Sequence, residues 1–242
     1  MKHRTQILTG VILGVLFCLA LPALGQNSTL TFNGGYQGDV WCGGWEGCVA
    51  TGLYDGTING QQVGPGGAGG LGMICDDYKH NIYTGESWTA NGINVSALSS
   101  SNIGSTQFGA IIGLTGYTEV AYVVNLMFTP GASSSQQSVY SQVIWALTGG
   151  VTTGQLSSAA LTLYNLVIAC AKAGSLPSLS SYTNLILYTP TNQGADGPQE
   201  MWGQALQAAE GGEALLYALI AAGACFISMF YSRGQRAKRV IA

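Results

Sequence analysis

The chain has 242 residues, and only 8% of them are charged, where an ordinary soluble domain carries about a quarter. Its polarity therefore comes from Gly, Ser, Thr, Asn and Gln. Lys2 and Arg4 open the chain and Arg233, Arg236, Lys238 and Arg239 close it, leaving Lys79 and Lys172 between them together with all eleven acids, nine of them before Glu210. That mildly acidic middle excludes a basic nucleic-acid footprint and is too thinly charged for a polyelectrolyte tail.

In chain order, a short positive region (Met1 to Arg4) leads into an apolar run, Ile7 to Leu21. Pro22-Ala23-Leu24-Gly25 then places small residues just before Gln26. This is the pattern of a secretory signal over residues 1–25, with the mature chain starting near Gln26; an uncleaved signal anchor is the alternative. From Asn27 to about Phe108 the sequence reads as short strands: Leu30 to Phe32, Gly38 to Trp41, Cys48 to Tyr54, Leu71 to Tyr78 and Asn81 to Tyr83. Turns are expected at Asp55-Gly56 and Asn59-Gly60. The glycine-rich stretch Gly64 to Gly72 lacks the Gly-Lys-Ser/Thr ending of a phosphate loop and opens no helical pattern, so it reads as a surface loop.

From Tyr117 the period becomes helical. Tyr117, Val120, Ala121, Val124 and Phe128 share a face, and Pro130 stops the run. A second helix is capped within Ser133 to Ser135, carries Tyr140, Val143, Ile144 and Leu147 as its apolar stripe, and ends at Gly149-Gly150. A third aligns Leu156, Ala160, Leu163, Val167 and Cys170 and stops at Gly174. Leu185 to Tyr188 reads as a returning strand and Thr189 to Gly197 as a loop. Pro198 to Ala209 reads as a stalk. Ala214 to Tyr231 contains no charged residue and, at about 1.5 Å per helical residue, is long enough to cross a bilayer. The cations after it place the tail 232–242 in the cytoplasm.

The expected fold class is α+β: a β-rich N-terminal half packed with about three amphipathic helices, plus a C-terminal single transmembrane helix. The corresponding segments are a signal peptide (1–25), an ectodomain (26–197), a stalk with a sorting motif (198–213), the membrane helix (214–231) and the basic tail (232–242).

Six cysteines are present. Cys18 lies in the signal and Cys225 in the apolar C-terminal segment, which leaves Cys42, Cys48, Cys75 and Cys170 for an oxidising compartment. Cys42-Gly-Gly-Trp-Glu-Gly-Cys48 is glycine-rich enough to double back into a short disulfide loop. Cys75 and Cys170 either pair or stay as buried thiols. The Cys-x5-Cys spacing is loose for zinc and His80 is the one histidine left after export, so no metal site and no cofactor are expected. Asp76, Asp77 and His80, with Glu86 and Glu119 nearby in sequence, admit an acid/base or metal reading. Adjacent Asp side chains on a strand point to opposite faces, however, which favours a solvated strand end. No Ser/His/Asp set or Gly-x-Ser-x-Gly elbow is present, so no enzyme is expected. Trp41, Trp45, Trp88 and Trp202 are candidates for stacking on sugars or for packing.

Two resemblances extend this reading. The motif Ala209-Glu210-Gly211-Gly212-Glu213, the apolar segment and the basic cluster together resemble the C-terminal sorting signal of PEP-CTERM proteins of Gram-negative bacteria, with Glu210 and two glycines standing where Pro-Glu-Pro is usual. The resemblance implies recognition by an exosortase, cleavage near Glu210, Gly211 and Gly212, and transfer from an inner-membrane intermediate to the cell surface or extracellular matrix. Exopolysaccharide or another surface polymer is the implied partner; permanent single-span anchoring is the alternative. The segments Met73 to Tyr83, Glu119 to Asn125 and Gln142-Val143-Ile144-Trp145-Ala146 resemble exported PEP-CTERM proteins and, more remotely, the thioester domains of surface adhesins. That likeness implies a bond between Cys75 and the Gln142 side chain, making an electrophile for surface amines. In the adhesin pattern the glutamine stands four residues before the tryptophan; here Ser141 holds that place and Gln142 follows it.

Overall fold

Along Gln26–Tyr36, Ser28, Leu30 and Phe32 are buried while Asn27, Thr29 and Asn33 are exposed, the period-2 pattern of a strand with one wet face. This is β1 (Gln26–Tyr36). The computed structural model describes residues 26–64, 72–194 and 197–205. The chain divides into two units, Met1–Ala205 and Leu206–Ala242, and every described residue belongs to the first. The signal segment, Glu210, Gly211, Gly212, the apolar segment 214–231 and the basic tail lie outside the described residues.

After β1 come β2 (Trp41–Gly44), β3 (Gly47–Val49), β4 (Tyr54–Ile58), β5 (Gln61–Val63), β6 (Met73–Cys75) and β7 (Ser87–Asn94). Three helices follow: α1 (Gly109–Met127), α2 (Ser134–Leu147) and α3 (Ser158–Lys172). Then come β8 (Leu185–Pro190) and β9 (Met201–Gln204). The strands run in the order β1-β7-β8-β9-β6-β4, and β4 pairs back onto β1, so the sheet closes into a six-stranded antiparallel barrel. On its other edge β4 meets β6 at Tyr54 and then β5 from Gly56 to Ile58. Closure leaves few unpaired backbone groups on the ring.

This closure corrects the α+β expectation. The barrel is not confined to the N-terminal half, because β8 and β9 are staves between β7 and β6. Residues Pro198 to Ala205, read as the start of a stalk, instead lead into and through β9, which pairs with β6 at Cys75↔Met201, Ile74↔Trp202 and Met73↔Gly203. The terminal membrane helix of that expectation has no counterpart among the described residues. Asn81 to Tyr83 is coil rather than strand. Asp55-Gly56 is not a turn but part of β4, where a Cβ on Gly56 would run into the Met73 side chain and the Thr31 carbonyl. Asn59-Gly60 does turn, with φ of 52° and 78°, the left-handed pair that a two-residue hairpin requires.

The helices follow their apolar stripes. α1 begins before Tyr117, at Gly109, and buries Tyr117, Val120, Ala121 and Val124. By length and composition it is apolar enough to cross a membrane, yet this stripe belongs to the core. Each such side chain, fully buried, stabilises the fold by about 1.5–3 kcal/mol. Ser133 caps α2 in a capping box with Gln136, and Ser157 caps α3 by accepting from the Ala160 N–H. Side-chain alternation sorts the barrel wall. Ile74, Leu185, Leu187 and Trp202 join the helices in one core, so Met73, Cys75, Tyr188 and Met201 point to the barrel interior.

Candidate functional site

β6 ends in Cys75-Asp76-Asp77, and alternation sends these side chains to different surroundings. Asp76 follows an inward Cys75 and turns toward the helices. It is 0% exposed, as is Glu200, and Asp77 is 1% exposed, which corrects the solvated strand end expected for this segment. Trp202 Nε1 donates to Asp76 Oδ2 at 2.6 Å. Glu200 Oε1 accepts from the Tyr117 hydroxyl at 2.6 Å, and Oε2 accepts from the Gln107 N–H at 2.9 Å and from the Thr189 hydroxyl. The Asp76 and Glu200 carboxyl groups lie close enough for each to shift the other's titration, and Asp76 Oδ1 has no hydrogen-bond partner. Burial, reinforced by the Glu200 charge, raises Asp76 well above the ordinary carboxylate range. Burial also raises Glu200, against the pull of its hydrogen-bond donors. Burial and the Glu200 charge push the Tyr117 hydroxyl up, so it stays protonated and donates.

Asp77 is occupied differently. Its Oδ1 accepts from the Lys79 N–H at 3.0 Å, and its Oδ2 meets His80 Nδ1 at 2.5 Å and the Gln107 side-chain amide. Its carbonyl accepts from the Cys75 thiol and from Gln199 Nε2, each at 3.0 Å. Glu86 does not join this group, since its Oε2 accepts from the Tyr83 N–H at 2.8 Å. Glu119 lies in the middle of α1. No group of three or more His, Cys, Asp and Glu side chains is placed to hold a metal ion among the described residues. The partner that sequence reasoning missed is Glu200, placed in a stalk because nothing local marks Met201–Gln204 as a strand.

Cys42 and Cys48 form a disulfide, with Cα atoms 4.0 Å apart, joining β2 to β3. Cys75 and Cys170 are free. The hairpin carries Trp41 inward, where its ring lies 5.8 Å from Tyr78 and 5.9 Å from Trp145. Trp45 stays 57% exposed, with its ring 5.7 Å from Tyr78 and its indole N–H donated to the Gly150 carbonyl at 3.2 Å. Of the tryptophans proposed for stacking, Trp41, Trp88 and Trp202 are buried, leaving Trp45 available.

The structure does not bring Cys75 and Gln142 together. The Cys75 thiol lies between the Asp77 carbonyl and the Asp77 N–H, and burial raises its pKa, so it is a neutral thiol rather than a nucleophilic thiolate. Gln142 Nε2 donates to the Ser138 carbonyl at 3.2 Å, and Oε1 accepts from the Ser157 N–H at 2.9 Å, which ties α2 to the start of α3. Ser141, one residue or about 100° around the helix, accepts from the Gly52 N–H at 2.8 Å. Trp145 does reach the cysteine segment, donating Nε1 to the Cys75 carbonyl at 3.2 Å.

At the barrel end where β4 and β9 begin and β6 stops lies a cleft of about 210 Å³. Phe32, Tyr54, Tyr78 and Trp145 line it together with Asn81 and Gln199, and the hairpin residues Cys48 to Ala50 form one wall. Gln199 Nε2 is held by the Asp77 and His80 carbonyls, while its Oε1 has no hydrogen-bond donor.

No family model, curated protein or solved structure matches the chain. What bears on function is the chemistry of the site itself.

Proposed function

We propose that this is a non-enzymatic protein of the bacterial cell surface or extracellular matrix, exported by the secretory route and sorted through the motif, apolar segment and basic tail of residues 209–242. The observation that carries this reading is the Cys42–Cys48 disulfide. Both cysteines are exposed, and an exposed short-loop bridge persists in an oxidising compartment, whereas cytosolic thiol systems would reduce it. The charge distribution supports the same reading, as does the resemblance of residues 209–242 to an exosortase signal. Asp76 and Glu200 are both sealed from solvent and bonded to Trp202 and Tyr117, so this pair acts within the fold.

The test is to recover the protein from cells and medium, determine its terminal residues and titrate its thiols. A surface or matrix form that begins near Gln26, ends near Glu210 and has Cys42 and Cys48 oxidised is the expected result. A membrane form that retains Arg236 and Arg239 would replace sorting by permanent anchoring. Reduced protein confined to the cytoplasm would overturn the reading.

A further inference from the structure

We propose that the cleft at the barrel end binds one ring of an uncharged polysaccharide, with Trp45 as a stacking plane beside it. The choice of ligand class rests on the surface-protein reading; the cleft itself does not.

Size is the first constraint. A cleft of about 210 Å³ lies below the roughly 300–1,000 Å³ of sites for drug-sized ligands, so it admits a single ring rather than a longer segment. Its floor is aromatic, from Phe32, Tyr54, Tyr78 and Trp145, and such a surface suits the C–H face of a pyranose. Two carboxamide residues also line it, the exposed Asn81 and the buried Gln199, whose Oε1 has no hydrogen-bond partner. A ligand hydroxyl that reaches the Gln199 carboxamide supplies the missing donor.

Charge narrows the class further. No Lys or Arg lines the cleft, and its ionisable carboxyl group is Asp77, which disfavours uronates, sulfates and phosphates. A cation gains little either. Both Asp77 oxygens already have partners in Lys79, His80 and Gln107, and the residue is 1% exposed. A neutral ring with an apolar face and a hydroxyl rim is what remains.

Trp45 does not line the cleft but packs edge-on against Tyr78, which does. A tryptophan held by a hydrogen bond to Gly150 and an edge contact with Tyr78, yet 57% exposed, is rigid but incompletely packed. A flat group stacking on the open face of the indole covers that surface. The disulfide hairpin supplies both this tryptophan and the wall from Cys48 to Ala50, so the bridge holds the site in shape.

The experiment is saturation-transfer NMR and fluorescence titration of the full-length protein. The probes are neutral glucan, mannan and galactan oligomers, with polygalacturonate and chitosan oligomers as charged comparisons. Binding of at least one neutral oligomer is expected, stronger than either charged one. Trp45→Ala should weaken it by about tenfold. Asn81→Ala and reduction of the disulfide should weaken it, and Val49→Trp should abolish it by filling the cleft. Trp45 and Asn81 are exposed, so those variants retain the fold, and thermal unfolding checks it. Failure of every neutral oligomer to bind, equal binding of charged ones, or binding unchanged in both Trp45→Ala and Asn81→Ala would overturn the proposal. Surface location without saccharide binding sinks this inference alone; binding by a cytoplasmic protein sinks the surface reading alone.

Discussion

Trp202 and Asp76 are 126 positions apart in the chain, and the indole N–H of one donates to the carboxyl group of the other at 2.6 Å. That bond ties β9 to the end of β6. It orients the same carboxyl group that meets Glu200, between the barrel wall and α1.

The buried Asp76 carboxyl group makes stability pH-dependent with a definite sign. Asp76 is raised in the folded state, whereas in the unfolded chain it titrates near its ordinary value of about 3.9. Above that value, and until the raised folded value is reached, the native protein holds the extra proton. Its stabilising contribution is therefore fully present below about pH 4 and is lost as pH rises, by up to roughly tenfold in the folding equilibrium per pH unit. Asp76→Asn retains an acceptor for Trp202 and should flatten this slope. Urea unfolding followed by tryptophan fluorescence from about pH 4 upward measures it; parallel slopes in both proteins would contradict the raised Asp76 carboxyl.

Thr148→Val isolates a second tie to the same segment. The Thr148 hydroxyl donates to the Asp76 carbonyl at 2.7 Å in a buried setting, and valine matches its shape without the donor. A loss of about 1–2 kcal/mol is expected, read as a lower denaturation midpoint at unchanged slope.

Gln142 has a structural role between α2 and α3. Gln142→Ala should cost about 1–3 kcal/mol by leaving the Ser157 N–H without its acceptor. The wild-type protein should show the full mass of its sequence without loss of ammonia, and Cys75 should alkylate only on unfolding. A mass deficit of one ammonia, with methylamine incorporation at Gln142, would show that the two side chains meet after all.

The disulfide should act locally. Its cysteines are six positions apart, and closing so short a loop is worth on the order of 2 kcal/mol by chain entropy. The Cys42→Ser/Cys48→Ser double variant should raise hydrogen exchange in β2 and β3, change Trp45 fluorescence, and lower global stability by no more than that amount of about 2 kcal/mol. A global collapse of stability would show that the hairpin supports the barrel.

What the sequence by itself determined is what acts within a few residues. The glycine-rich loop between Cys42 and Cys48 brings its own ends together. Asn59-Gly60 adopts a turn that few other pairs tolerate. Ser133 and Ser157 cap helices whose apolar stripes recur at helical spacing, and the helix count follows from that. Only the tertiary structure decided the closure of the barrel. β6 and β9 are three and four residues long, too short to show a period, and β7 alternates only over Ser87 to Ala90 before Asn91, Gly92 and Asn94, residues that disfavour strands, break the signal. Their pairing depends on contacts between distant parts of the chain. The carboxyl pair was hidden for the same reason. Asp76 and Glu200 carry the chemistry of solvated acids, and only the packing of Trp202, Tyr117 and Thr189 around them removes water and raises both carboxyl groups.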